Sequence, residues 1–456
     1  LVNLLDEHGV EVYFLKNNFE INNRVFGNGD VVIPLAQPFR PFIKEVMEKQ
    51  KYPVRHYTPN GEIIKPYDIT SWSLPLHKGV TAFEINEKVI IPFSDLEKIT
   101  TPLSIKMKPG FDPAAYLFSA NNNESYKAAF IGIANGLNVE RLTEQFEVNE
   151  EVIPAGSFLI SLETNEREAA NNLVSMLNVD PIYLRDYSSF EVEKFEMPRI
   201  ALVESNFHDM DAGWTRFIFD TYYIPYTIVK PGNFEKTDFV KNYDVVLFPN
   251  EDKSILMEGK YKSEDTYYVT NYPPEFTKGI GTEGFNNLMS FLDEGGIIIS
   301  WGNSTDLFMG PLSIKHGEGD KEDFQLPVRD GSKNLKKDGL YVAGSLVNIK
   351  LTLENPVTYG MEEEIGVFFR GKPVFTTSLP RFDMDRRVIA TFPKEDILLS
   401  GYAENEQILK NKTAAVWIKK GNGQLVLFGF SPQFRGSTNV SFKLLFNSLL
   451  LKKIKQ

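Results

Sequence analysis

Hydrophobic positions in this chain switch between two periods, and the switching predicts an α/β architecture. The clearest case runs from Pro198 to Phe308. Arg199-Ile-Ala-Leu-Val203 is a short apolar run of the kind a strand buried on both faces requires. Trp214, Phe217, Ile218 and Tyr222 then recur at helical spacing, with Asp211 ahead of them as the expected N-cap. Tyr226 to Val229 and Asp244-Val-Val-Leu-Phe248 predict two more strands. Phe285, Leu288, Met289 and Leu292 share one helical face, Gly295-Gly296 ends that helix, and Ile297-Ile-Ile-Ser300 predicts a fourth strand. Alternation of this kind implies a parallel, doubly wound sheet with helices on both faces.

Upstream, the pattern repeats itself. Gly9-Val-Glu-Val12, Leu15, Phe19-Glu-Ile-Asn22, Val25, Gly29 and Ile33 align without a gap, 127 residues on, with Gly136-Leu-Asn-Val139, Leu142, Phe146-Glu-Val-Asn149, Val152, Gly156 and Ile160. Two related α/β units are therefore expected. The second has an opening strand, Ala115-Tyr-Leu-Phe118, and a helix carrying Tyr126, Ala129, Phe130 and Ile133. The first begins at Leu1, already inside the equivalent helix, so more protein is expected upstream. Between the copies, Lys65 to Gly79 is broken by prolines and suits an ordered connection that buries Tyr67, Trp72 and Leu74, or a docking loop.

Downstream, Met309 to Asp338 has little periodicity, and Leu340 to Phe392 alternates as strands do. Ala414-Ala-Val-Trp-Ile418 and Gln424-Leu-Val-Leu-Phe428 flank Lys-Lys-Gly-Asn-Gly, a hairpin signal. A closing helix carries Phe442, Leu445, Phe446, Leu449 and Leu450, with Thr438 as its expected cap. The expected divisions are 1–110, 111–197, 198–310, 311–412 and 413–456. The fold class is thus α/β: a doubly wound parallel sheet, two smaller α/β units before it, and a β-rich segment with a closing helix after it.

Composition narrows the chemistry. Lys plus Arg number 49 against 61 Asp plus Glu, a net charge of −12 that argues against a nucleic-acid or anionic membrane partner. No run of about 18 apolar residues exists to predict a membrane-spanning helix. The chain has no cysteine, which excludes disulfides, thiolate metal sites and a cysteine nucleophile.

The Pro198–Phe308 stretch resembles the class I glutamine amidotransferase-like fold. In that family the strand after Gly-Gly ends in a sharp turn bearing the nucleophilic cysteine. Here that turn is Ser300-Trp301-Gly302-Asn303-Ser304, and the cysteine position falls at or beside Gly302. Five ordered motifs further resemble the C-terminal half of bacterial zinc carboxypeptidase-like proteins. They are Pro34-Leu-Ala-Gln-Pro-Phe-Arg-Pro41, Pro66-Tyr-Asp-Ile-Thr-Ser-Trp-Ser-Leu-Pro75, Met210-Asp-Ala-Gly-Trp-Thr-Arg216, Asn355-Pro-Val-Thr-Tyr-Gly360 and Gly429-Phe-Ser-Pro-Gln-Phe-Arg-Gly436. This resemblance implies an upstream metallocarboxypeptidase domain as partner, zinc in that domain and no cofactor here, and a secreted or periplasmic setting.

Candidate chemistry within the chain is sparse. His8-Gly-Val-Glu11 spells a short zinc pattern, but its repeat partner is Asn135-Gly-Leu-Asn138, and a helix stop explains Gly9. His56, His77, His208 and His316 show no ligand spacing. Gly279-Ile-Gly-Thr-Glu-Gly284 matches a dinucleotide fingerprint without the strand it needs. Ser304, with His208 and Asp209 or Asp211, is a serine-hydrolase candidate; otherwise Asn303, Ser304 and Thr305 cap the following segment. A binding crevice at the strand ends is the stronger candidate. Glu204, Asp211, Trp214, Arg216, Asn250 and Asn303 would converge there, with Arg435 near the same edge, to hold a peptide end or a glycan. In the plainer alternative Asp211 is a cap, Trp214 is core, Arg216 pairs on the surface and Arg435 holds a loop. Three functions remain open: a non-catalytic accessory region of a zinc carboxypeptidase-like protein, a weak hydrolase working near Gly302 and Ser304, and a peptide- or carbohydrate-binding module.

Overall fold

The structure is a computed structural model describing residues 1–100, 110–148, 150–162, 166–207, 209–263, 266–268, 272–315, 321–380 and 384–454. His208, His316 and Asn149, named above, lie outside the described residues. The chain opens with helix α1 (Val2–Glu7), strand β1 (Tyr13–Leu15), strand β2 (Val31–Val32), helix α2 (Arg40–Met47), helix α3 (Leu74–Lys78) and strand β3 (Leu96–Lys98). β1 lies between β2 and β3, antiparallel to both. A small core of Leu5, Val10, Val12, Ile43 and Ile99 holds this unit together.

The next segment repeats α1, β1, β2 and α2 at the offset of 127 residues. Strand β4 (Ala115–Phe118) and helix α4 (Asn123–Ala134) lead to β5 (Val139–Leu142) and β6 (Phe158–Ser161), then helix α5 (Arg167–Met176), β7 (Ile182–Leu184) and β8 (Val192–Lys194). β5 lies between β6 and β8 as β1 lies between β2 and β3. The register also agrees: Phe158 pairs with Arg141, as Val31 pairs with Phe14. Small hairpins at 19–26 and 146–153 occupy equivalent places.

The central sheet begins with β9 (Ile200–Val203), helix α6 (Met210–Tyr222), β10 (Thr227–Val229), β11 (Val245–Phe248), helix α7 (Gly281–Asp293) and β12 (Ile297–Trp301). The extension supplies β13 (Ser345–Leu351), β14 (Glu364–Phe369), β15 (Met384–Thr391), β16 (Thr413–Lys420) and β17 (Gly423–Phe428), and the chain closes with α8 (Phe442–Leu449). Strands run β10-β9-β11-β12-β17, and every neighbouring pair is parallel. That is the 2-1-3-4-5 order of a flavodoxin-type doubly wound sheet. β9, β11 and β12 are fully buried, so they show unbroken apolar runs rather than alternation, while the edge strand β10 leaves Thr227 and Ile228 exposed. From β17 the sheet continues antiparallel through β16, β15, β13 and β14. The β-rich stretch is therefore a continuation of the same sheet, joined through the hairpin that Gly421-Asn422 turns.

One core runs through the second α/β unit, one face of the sheet and α8. α8 is buried on every side, including Lys443, Asn447 and Ser448, because it lies between layers. Burial of Phe442, Leu445, Phe446 and Leu449 contributes roughly 6–12 kcal/mol at about 1.5–3 kcal/mol per side chain. Its polar residues bond across the joint. The Asn447 carboxamide accepts from the Tyr126 hydroxyl at 2.9 Å and from Arg141 at 2.8 Å, and donates to the Tyr359 carbonyl at 2.8 Å. The N-cap position of α8 is Ser441, not Thr438, and its hydroxyl donates to the Pro432 and Thr438 carbonyls instead of capping; a short 3-10 turn at Asn439–Ser441 separates Thr438 from the helix.

The Lys65–Gly79 loop docks on the antiparallel extension through polar atoms. The Thr70 N–H donates to the Gly344 carbonyl at 2.8 Å, Ser71 and Ser400 share a hydroxyl hydrogen bond of 2.8 Å, and Asp68 pairs with Arg370 at 2.7 Å. The expected burial of Tyr67 and Trp72 is corrected: they are 91% and 42% exposed. An irregular backbone against a sheet must satisfy its N–H and C=O groups first, and short hydroxyl residues do that where aromatics cannot. Among the described residues no helix is long and apolar enough to cross a membrane.

Candidate functional site

Parallel strands direct the segments that follow them to one edge, and a crevice of about 300 Å³ opens there. Five segments build it. The start of α6 supplies Asp209, Asp211 and Trp214; the turn after β11 supplies Asn250 and Glu251; the end of β12 supplies Trp301 and Gly302. The turn after β17 adds Phe430, Ser431, Phe434 and Arg435, and the end of β14 adds Phe368, Arg370 and Lys372.

Asp211 ties these segments together. Its carboxylate accepts from the Asn250 N–H at 2.9 Å, from the indole N–H of Trp301, from Ser431 at 3.3 Å and from Gln433 at 3.0 Å. One side chain thus joins the ends of β11, β12 and β17 to α6. It does not cap α6: Asp209 is the N-cap, accepting from the Ala212 N–H at 3.0 Å and from the Ser205 N–H at 2.9 Å. Asp211 is the second residue of the helix and points inward. Burial raises the pKa of Asp209 to about 7, against the lowering effect of its two N–H donors and with help from the nearby Glu251 charge. Burial raises Asp211 and Glu251 as well. The floor of the crevice is therefore acidic and reluctant to carry its full charge.

The elbow after β12 is closed. Gly302 has φ +61°, the left-handed backbone of a sharp turn, where a side chain would project into the site. A Cβ there would fall inside the Asn250 carboxamide, whose oxygen accepts from the Asn303 N–H at 2.8 Å. Ser304 is no nucleophile in this arrangement. It is 0% exposed, its hydroxyl donates to the Pro249 carbonyl, and it accepts from the Glu251 N–H at 2.8 Å.

Of the residues expected in the crevice, Asp211, Trp214, Asn250 and Arg435 line it. Glu204 and Arg216 do not: they pair with each other at 3.1 Å, and Glu204 also takes Lys230 at 2.7 Å. Both oxygens of Glu204 are satisfied more cheaply by those two long cations than by turning inward. Asn303 is drawn aside to Asp252 at 2.8 Å, and Ser304 is buried beneath the turn. Phe217, expected on the apolar face of α6, is 56% exposed and stacks edge-on against Trp214. Asp209 and Glu251 were legible in principle, since both follow strands that flank the switch in strand order. Arg370 and Lys372 carried no such signal, because a strand from the extension brings them there.

Among the described residues no three His, Cys, Asp or Glu side chains gather to hold a metal. His8 bonds the Leu4 carbonyl at 2.8 Å, and Glu11 pairs with Lys98 at 2.6 Å.

No family model matches this sequence, and no curated protein matches it. Solved structures that resemble it include a putative ThuA-like protein from Bacteroides uniformis, at 9% identity and a TM-score of 0.31, covering 60% of this chain and 97% of that one. A putative GMP synthase component from Thermoplasma acidophilum aligns at 9% identity and a TM-score of 0.30, covering 56% and 94%. A β-galactosidase from Bacillus circulans sp. alkalophilus aligns at 10% identity and a TM-score of 0.29, covering 55% and 31%. Similarities of this size carry no inference about function, and the fold assignment rests on the strand order above.

Proposed function

We propose that this polypeptide is a non-hydrolytic accessory region of a larger peptidase, with a crevice at the sheet's carboxyl edge that binds a polar ligand. The observation that carries the reading is the elbow: the residue is Gly302, and the Asn250 carboxamide fills the space a nucleophile would need. Loss of a cysteine alone would leave a vacancy. Here a neighbouring side chain has taken its place and bonds the next backbone N–H. Ser304 is locked under the same turn.

The peptidase setting rests on the five motifs, and their positions suit an accessory role. Met210–Arg216 and Gly429–Gly436 contribute walls of the crevice. Asn355–Gly360 lies at the joint with the second unit, where a Cβ on Gly360 would strike the Ala120 carbonyl. Pro66–Pro75 docks the first unit on the sheet extension. Motifs placed at joints preserve the arrangement of units; none carries a reacting group.

The test combines turnover and binding. The chain should hydrolyse neither activated esters nor peptide amides, with or without added zinc, and a peptide or glycan panel should raise its melting temperature. Zinc-dependent peptidase activity should appear in a longer polypeptide that includes an upstream catalytic domain. Turnover by this chain that disappears in Ser304→Ala would overturn the reading.

A further inference from the structure

Hydrogen-bonding capacity in the crevice is satisfied on one side and open on the other. The acidic floor is supplied by the protein: Asp211 has four donors, Asp209 two, and Glu251 accepts from Ser205 at 2.9 Å and from the Asp252 N–H at 2.9 Å. The cationic side is not. Lys372 and Arg435 make no hydrogen bond or ion pair among the described residues, and Arg370 is aligned by Asp68 at 2.7 Å and the Ala343 carbonyl at 3.2 Å. Three cations on one crevice stand out in a chain of net charge −12. Lysine and arginine have no acceptor atoms, so what is unfilled here is donor capacity.

Arg435 is held at a conformational cost. Its backbone sits at φ +47°, in the left-handed region that disfavours a non-glycine residue. Its guanidinium lies 5.2 Å from the centre of the Phe434 ring, which stacks in turn on Phe368. A planar fork resting on an aromatic platform suits a carboxylate, which it can bind in two places at once.

The geometry points to a ligand with a free carboxylate, gripped by Arg370, Lys372 and Arg435 on the cationic side of the crevice. This rests on the crevice being a binding site. Trp214, half-buried on the wall, would cover the ligand's apolar face. A phosphate dianion fits less well, because it brings two charges and no donors to an acidic floor. A peptide carboxyl terminus and an acidic sugar share the required chemistry.

The test uses the whole chain and four probes: N-acetyl-alanyl-phenylalanine, its amide, glucuronic acid and glucose. Calorimetric titration should show at least one acid binding about tenfold or more tighter than its neutral counterpart, weakening with added salt. Arg435→Gln and, separately, Lys372→Gln should each lose most of that preference with an unchanged circular dichroism spectrum. Binding of the peptide acid alone identifies a peptide source; binding of glucuronate alone identifies a sugar. Equal binding of acid and neutral forms, or wild-type preference in both variants, would overturn the carboxylate and leave the crevice reading in place. No binding by any probe would overturn both, without touching the non-hydrolytic reading, which turnover tests separately.

Discussion

Gly302→Ala is the sharpest probe of the closed elbow. An alanine at φ +61° carries a backbone penalty of roughly 1–2 kcal/mol. Its methyl group also displaces the Asn250 carboxamide, which breaks the 2.8 Å bond to the Asn303 N–H and removes about 0.5–1.5 kcal/mol. The expected total is about 1.5–3.5 kcal/mol. In an Asn250→Ala background the carboxamide is already gone and only the Cβ of residue 250, 2.9 Å away, still crowds the new methyl group, so Gly302→Ala should add the backbone penalty and a smaller clash but no lost hydrogen bond. The pair should therefore couple by about 1 kcal/mol. Urea titrations followed by tryptophan fluorescence, to which the 0% exposed Trp301 beside Gly302 contributes, measure all four corners of the cycle. A cost below about 1 kcal/mol for the single variant, or the same cost in both backgrounds, would refute the reasoning. The result bears directly on function, since a cysteine at this turn would meet the same obstruction.

Other consequences follow from the same edge. Asp211→Asn places an NH2 group against donors that now meet a carboxylate oxygen, and should destabilise the sheet by about 2–4 kcal/mol in the same urea assay. Asp209, raised by burial to about 7, should titrate near neutrality, visible as a carboxyl carbon shift in NMR. Because its folded pKa lies above the ordinary value of 3.8, its contribution to stability is full at low pH and is lost as pH rises through about 7. The stability of the wild type relative to Asp209→Ser, which keeps a capping oxygen, should accordingly fall between pH 5 and pH 8, as melting temperatures can show. Gly360→Ala, at φ +66° and against the Ala120 carbonyl, should loosen the second α/β unit and speed limited proteolysis within 111–197 without changing crevice binding.

Much of the architecture was legible because local patterns and tertiary demands agree. The apolar runs at 200–203, 245–248 and 297–301 are buried parallel strands, and such strands need apolar residues on both faces whatever their neighbours are. The hairpin around Gly421-Asn422 and the 127-residue repetition were likewise visible, since turn chemistry and periodicity are written residue by residue. The absence of cysteine decided by itself that no thiolate acts here. Other features depended on which groups meet across long separations. Glu204 looked like a crevice residue until Arg216 and Lys230 paired with it, whereas a surface ion pair for Arg216 was already the plainer alternative. Tyr67 and Trp72 looked like core until the loop around them bonded the sheet extension through Thr70 and Ser71. Arg370 and Lys372 reach the crevice only because the sheet continues past its parallel half. Sequence alone determined the alternation of elements and the missing nucleophile, because period and residue identity are local. Only tertiary structure decided that the Asn250 carboxamide fills the space beside Gly302 and which charges face the cavity, because partner choice is set by packing between segments tens to hundreds of residues apart.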